Sequence, residues 1–197
     1  MLKIRYGFSL IELIVVMVIV AIIAAIAIPS YTQFIERQDV AIAKQEAQKV
    51  AAELERFKSK NFSYKGFDAS YLYNFTDVDG HGNSVTRSHY NPSAGQLLLP
   101  VGADATHVKY KLTLVDGITH KPLTIKKGAN GTETSESVTI KGLSWAIVVE
   151  RVKGNDGEPK QPRNSDLLIL SSGLRCMTKV KDVVSLFTGC GSHGESW

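Results

Sequence analysis

Residues 7–31 read GFSLIELIVVMVIVAIIAAIAIPSY, and from position 13 to position 28 no side chain is polar. Extending back to Phe8 adds only Ser9 and Glu12 as polar members. A helix over 8–28 rises about 31 Å at about 1.5 Å per residue, close to the ~30 Å hydrocarbon core of a bilayer. Upstream, residues 1–7 (MLKIRYG) carry Lys3 and Arg5 and no acid. The positive-inside bias keeps that end cytoplasmic and exports everything after Ile28. One spanning segment, N-terminus inside, is the expectation. The competing reading is a cleavable secretory signal, for which Ala25, Ile26 and Ala27 fit a small-residue cleavage pattern. The length of the apolar run and the acid at Glu12 count against it. An ionised carboxylate inside a spanning helix costs about 2.5–3.5 kcal/mol on insertion scales. Glu12 therefore reads as a functional group in need of a partner, or else as an interfacial acid on a shifted helix.

Outside this run the composition is ordinary. The 197 residues suggest one domain or one and a half, and 44% hydrophobic with 21% charged residues is a globular average. A mean hydropathy of -0.03 excludes a polytopic membrane protein, and the apolar content excludes wholesale disorder. The net charge of +4 is a mild basic excess, well short of a nucleic-acid footprint. The 2 cysteines cannot build a zinc ribbon or a disulfide-dense scaffold.

The order and spacing of Lys3 and Arg5, Gly7, Phe8, Glu12 and Pro29 closely resemble the class III signal of type IV pilins and pseudopilins. In that family a short basic leader ends in glycine, phenylalanine follows, a glutamate stands four residues on, and proline interrupts the apolar helix. The resemblance implies that a prepilin peptidase cleaves between Gly7 and Phe8 and methylates the new Phe8 amine. It implies that Glu12 pairs with the Phe8 amine of a neighbouring subunit in a low-dielectric filament core, which explains why an acid is tolerated there. It also implies unwinding of about 21–29 in the assembled filament. Pro29 removes the hydrogen bond to the Ala25 carbonyl and is expected to kink or loosen the helix locally.

Beyond Pro29, Val40, Ala43, Ala47, Val50, Leu54 and Phe57 recur at helical spacing. This stripe predicts a helix laid over a sheet. Its small apolar members and a run of under three heptads count against a coiled-coil seam. The chain thus divides into a basic leader (1–7), a hydrophobic transmembrane or filament-core helix (8–29), an amphipathic helix half (30–58) and a globular head (59–197). Residues 61–100, rich in Tyr, Phe, Asn, Gly and Ser, read as a long structured loop with a short helix near Ala69–Tyr73. Strand candidates follow at Gln96–Leu99, at Val108, Tyr110, Leu112 and Leu114, at Leu143, Trp145, Ile147 and Val149, and at 167–170. Between them, 117–141 is a polar insertion with room for a small hairpin around 138–140, and 153–165 is a Gly/Pro-rich loop. Long helix, loop, then antiparallel strands give an α+β, pilin-like fold: a long N-terminal helix packed on an antiparallel sheet.

Cys176 and Cys190 lie on the exported side with 13 residues between them. An oxidising compartment favours a bridge, and closing a loop of ~15 residues is worth roughly 3 kcal/mol in the chain-entropy model. The alternative is two free buried thiols. A C-terminal disulfide loop is also typical of type IV pilins, and LSSGLRCMTK with GCGSHGESW resembles that region more loosely.

No catalytic constellation stands out. The 5 histidines are scattered and never spaced as HxxxH. The CGSHG run lacks the first glycine of a nucleophile elbow. Asp77, Asp79, His81 and Asn83 look like half a calcium loop, but Ser88 stands where a bidentate Glu belongs, and a solvated turn accounts for the same residues. No enzyme activity, cofactor or metal is expected. The leading function is a structural subunit of a type IV pilus, more a minor or specialised pilin than a plain major one, serving adhesion, twitching motility or DNA uptake. The alternatives are a type II secretion pseudopilin and a DNA-receptor pilin for transformation, the latter resting on the modest charge of Arg175, Lys179 and Lys181. Its expected partners are other pilin subunits, the prepilin peptidase, the inner-membrane assembly machinery and, before assembly, membrane lipid. The expected location is the bacterial inner membrane first and the pilus at the cell surface afterwards.

Overall fold

The computed structural model describes residues 9–197, so the leader 1–7 and Phe8, with the cleavage and methylation positions, lie outside the described residues. Two compact units divide at Gln38 and Asp39. A single helix, α1 (Leu10–Asn61), contributes to both. Its first turn holds Glu12 and its last turn Lys58 and Lys60, each complementing the helix dipole. It reaches three residues past position 58 and ends where Phe62 adopts φ 57°, with the Phe62 N–H donating to the Lys58 carbonyl at 2.7 Å. Helix geometry continues through Pro29, whose carbonyl accepts from the Thr32 hydroxyl at 2.9 Å.

The Asp39–Trp197 unit is built on a sheet of seven strands, each antiparallel to its neighbour in chain order. They are β3 (Tyr90–Asn91), β4 (Gln96–Leu99), β5 (Tyr110–Asp116), β6 (Trp145–Arg151), β7 (Asp166–Leu170), β8 (Arg175–Thr178) and β9 (Glu195–Ser196). The α1 stripe covers one face: Ala43, Ala47, Val50 and Leu54 are fully buried with Leu97, Tyr110, Leu112, Leu114, Ile147, Val149, Leu167 and Ile169, while Val40 and Phe57 are partly buried against them. The helix-on-sheet architecture is therefore the expected one.

Several elements differ from the sequence reading. β6 is buried on both faces, because Val148 and Leu168 pack with Cys176, Val184 and Cys190 in a second cluster. The run WAIVV is thus a doubly covered central strand, starting at Trp145, and Leu143 lies outside it at 69% exposure. Residues 61–100 hold more than a loop: a 3-10 turn (Ala69–Tyr73), a hairpin of β1 (Asn74–Val78) and β2 (Ser84–Ser88), then β3. Around 138–140 there is no hairpin but the end of a short helix, α2 (Ser135–Thr139), whose N-cap Thr134 accepts from the Ser137 N–H. The polar Thr/Ser/Glu segment finds its partners in that cap, in one helical turn and in the Lys126 backbone, which accepts from the Thr134 N–H at 2.9 Å and donates to the Ser137 hydroxyl at 2.8 Å. Its strand-like contact is an isolated bridge between Lys127 and Glu133.

Candidate assembly segment and disulfide-closed loop

Among the described residues up to Gln38, none is buried. Leu10, Met17 and Ile26 stand at 76%, 66% and 70% exposure, in the middle of an apolar surface that runs the length of the segment. Such a continuous patch is far larger than a soluble monomer presents to water and demands a cover of lipid or of other helices. By length and composition the helix can cross a membrane. Glu12 lies in the first turn of this surface; its N–H donates to the Ser9 carbonyl at 3.1 Å, and its carboxylate has no partner among the described residues.

Cys176 on β8 and Cys190 form a disulfide with Cα atoms 5.9 Å apart, closing the loop 177–189. Both cysteines are buried. Val184 is fully buried under the bridge, and the Phe187 ring stacks on His120 with centroids 4.2 Å apart. Trp197 holds the strand from the other side, its Nε1–H donating to the Cys176 carbonyl at 3.0 Å.

The loop is also fastened by charges that the sequence reading missed. Arg151 and Asp166 form a buried bidentate pair, Nε–Oδ1 at 2.9 Å and Nη2–Oδ2 at 3.1 Å. The same guanidinium donates to the Lys179 carbonyl in the loop at 2.8 Å and to the Asn164 carbonyl at 2.7 Å. Gln161 extends the network to α1 by donating to the buried Asp39 carboxylate, and receives the Asn164 amide at 3.1 Å. A signal for Asp39 was present: it stands four residues before Ala43, on the apolar stripe itself.

The basic residues near the bridge do not stand free as a group. Lys181 pairs with Glu158 at 2.5 Å, Lys153 pairs with Asp182 at 2.6 Å, and Arg175 lines a groove beside α1 with Gln48 and Glu55. Acids are interleaved with the cations, unlike a phosphate-binding patch. The half calcium loop is the β1–β2 turn. Asp79 accepts the N–H groups of Asn83 (2.8 Å) and His81 (2.9 Å), and these bonds hold its carboxyl below the usual range. Asp77 pairs with Arg87 at 3.1 Å. Among the described residues no three His, Cys, Asp or Glu side chains gather as a metal site.

Residues 2–28 match the family described as the prokaryotic N-terminal methylation motif. With that motif, the long apolar helix, the antiparallel sheet and the C-terminal disulfide now stand together. The chain is type IV pilin-like. Pilin-like proteins, pseudopilins among them, are structural and generally non-enzymatic. No curated protein and no solved structure matches this pilin-like chain. Its likeness beyond residue 28 is therefore one of architecture.

Proposed function

We propose that the chain is a subunit of a type IV pilus, without enzymatic activity, that polymerises through residues 8–28. The supporting observation is the uncovered apolar length of α1 within the matched methylation motif, with an acid in its first turn, Glu12, that has no partner among the described residues. Prepilin peptidase cleaves after Gly7 and methylates Phe8. The segment then spans the inner membrane with its N-terminus in the cytoplasm until the assembly machinery extracts it. In the filament, neighbouring helices replace lipid around the apolar surface, and Glu12 faces the Phe8 amine of an adjacent subunit. That pair offsets the desolvation that either charge alone would suffer in a low-dielectric core. Pro29 supplies the weak point at which the helix adjusts to filament packing. The loop-rich head, closed by Cys176 and Cys190, faces outward for adhesion, motility or uptake, as in a minor or specialised pilin.

Amino-terminal sequencing with intact mass of the membrane or fibre form tests this reading. The expected mature chain starts at N-methyl-Phe8. A chain starting at Ile28 is an ordinary secreted domain, and that result overturns the proposal.

A further inference from the structure

Between Phe8 and Tyr31 the sequence holds no aromatic residue, and then two stand within four positions, Tyr31 and Phe34. Both are exposed on α1, at 66% and 64%, and three-residue spacing makes them neighbours on one helix face. Scattered exposed aromatics need no explanation, but these occupy the first polar turn after the apolar run, interleaved with Thr32 and Gln33. Tyr and Trp collect at this position in spanning helices, because a ring with an apolar body and a polar tip suits the headgroup layer, and a wholly apolar ring such as that of Phe34 gains by leaving water for the same boundary. We propose that Tyr31 and Phe34 form an interfacial anchor that docks in the outer headgroup layer of a phospholipid bilayer and sets the depth of the span. This rests on the spanning segment of the proposed function and adds its register.

The lengths agree with that register. From Glu12 to Tyr31 an α-helix rises about 28 Å, against a hydrocarbon thickness of ~30 Å. With Tyr31 at the outer boundary, Glu12 reaches the inner one. From Tyr31 to Phe34 the rise is about 4.5 Å, within an interfacial layer of about 5–7 Å on each side. The anchor thereby keeps the Glu12 carboxylate at the water-accessible rim before assembly, where its charge costs little. Extraction pulls Glu12 into an apolar setting and creates its need for a cationic partner. The register thus makes that partner a requirement of leaving the membrane rather than of residing in it.

The test is tryptophan emission of the full chain in phosphatidylcholine vesicles whose acyl chains carry bromine either near the headgroup or near the chain terminus. Tyr31→Trp and Ile22→Trp are each compared with the parent, so that Trp145 and Trp197 cancel. The expected result is a larger loss of emission for Tyr31→Trp with the shallow bromines, and for Ile22→Trp with the deep ones. If Ile22→Trp is quenched deep while Tyr31→Trp is quenched only by an aqueous quencher, the span stands and the anchor is overturned. A Tyr31→Trp quenched most by the deep bromines also overturns the anchor, by placing the span in another register. If neither lipid quenches Ile22→Trp, the spanning segment itself fails and takes the anchor with it.

Discussion

Arg151 ends the apolar strand β6, and its charge is tolerated there because Asp166, at the start of β7, meets it with two oxygens at 2.9 and 3.1 Å. Both side chains are essentially inaccessible, at 1% and 5% exposure, so removing one leaves the other charged and dry. Arg151→Met is expected to lower stability by about 3–5 kcal/mol, the usual cost of breaking a buried pair. Arg151→Met/Asp166→Leu should recover part of that loss, since no uncompensated charge remains. Urea unfolding of the full chain in detergent measures both, and a single variant as stable as the parent would show that water reaches Asp166. Glu12 is the opposite case, an acid without a partner inside its own described chain. Glu12→Val should leave insertion and cleavage intact and fail to enter fibres efficiently, while Glu12→Asp, charged but one methylene short, should be intermediate. Sheared-fibre yield reads this directly, and a parental yield from Glu12→Val would remove the pairing role.

At the scale of elements, α1 contributes more than its apolar stripe to the Asp39–Trp197 unit. Glu46, Glu53 and Glu55 accept hydrogen bonds from the hydroxyls of Tyr73 (2.7 Å), Tyr71 (2.9 Å) and Tyr64 (2.8 Å), and Glu55 also from Trp145 Nε1 (3.0 Å). Burial, and then the neighbouring carboxylate, push the Tyr71 hydroxyl up from its ordinary value near 10 to about 12. The folded state thus holds this proton more tightly than the unfolded chain. Its contribution to stability is complete below pH 10 and declines from about pH 10 to about pH 12. Burial also pushes the hydroxyls of Tyr64, Tyr73, Tyr90 and Tyr110 up, so tyrosinate absorbance should show several late-titrating groups, of which the one near pH 12 disappears in Tyr71→Phe. Glu53→Gln should move it downward, because the variant removes the neighbouring negative charge and weakens the hydrogen bond that holds the proton. Periodicity made the stripe of α1 and the alternating β5 legible, and short apolar runs marked β4 and β7. The β1–β2 hairpin escaped because NFTDV and SVTRS carry few apolar residues on either face, so no alternation marks them. The tyrosine-bonded glutamates escaped because a carboxylate beside an apolar stripe looks the same whether it faces water or a phenol.

For the whole molecule, the sequence is most legible where one physical demand dominates. A bilayer-length apolar run admits few readings, and two cysteines expected in an oxidising compartment favour a bridge. The C-terminal strands were hidden for the converse reason. β8 and β9 span only four and two residues, and they persist through a bond far along the chain and the Trp197 hydrogen bond to Cys176. That dependence sets the final expectation. Loop 177–189 has Met177, Val180, Val183, Val184, Leu186 and Phe187 as its larger apolar residues; Met177, on β8, is partly buried against the core, and only Val184 among them is fully buried. These contacts alone do not offset the entropy of ordering the loop. Cys176→Ser/Cys190→Ser should therefore lower the stability of the Asp39–Trp197 unit by about 2–5 kcal/mol, the usual cost of losing a disulfide from a small secreted domain. Insertion should be untouched, because the apolar segment is remote in sequence from both cysteines. The variant should appear in the membrane fraction at parental levels on synthesis and then be lost to periplasmic proteolysis, lowering fibre yield. Pulse labelling followed by limited proteolysis separates the two stages. Quantitative thiol labelling of native parental fibres would overturn the bridge, and with it the exported topology that it supports.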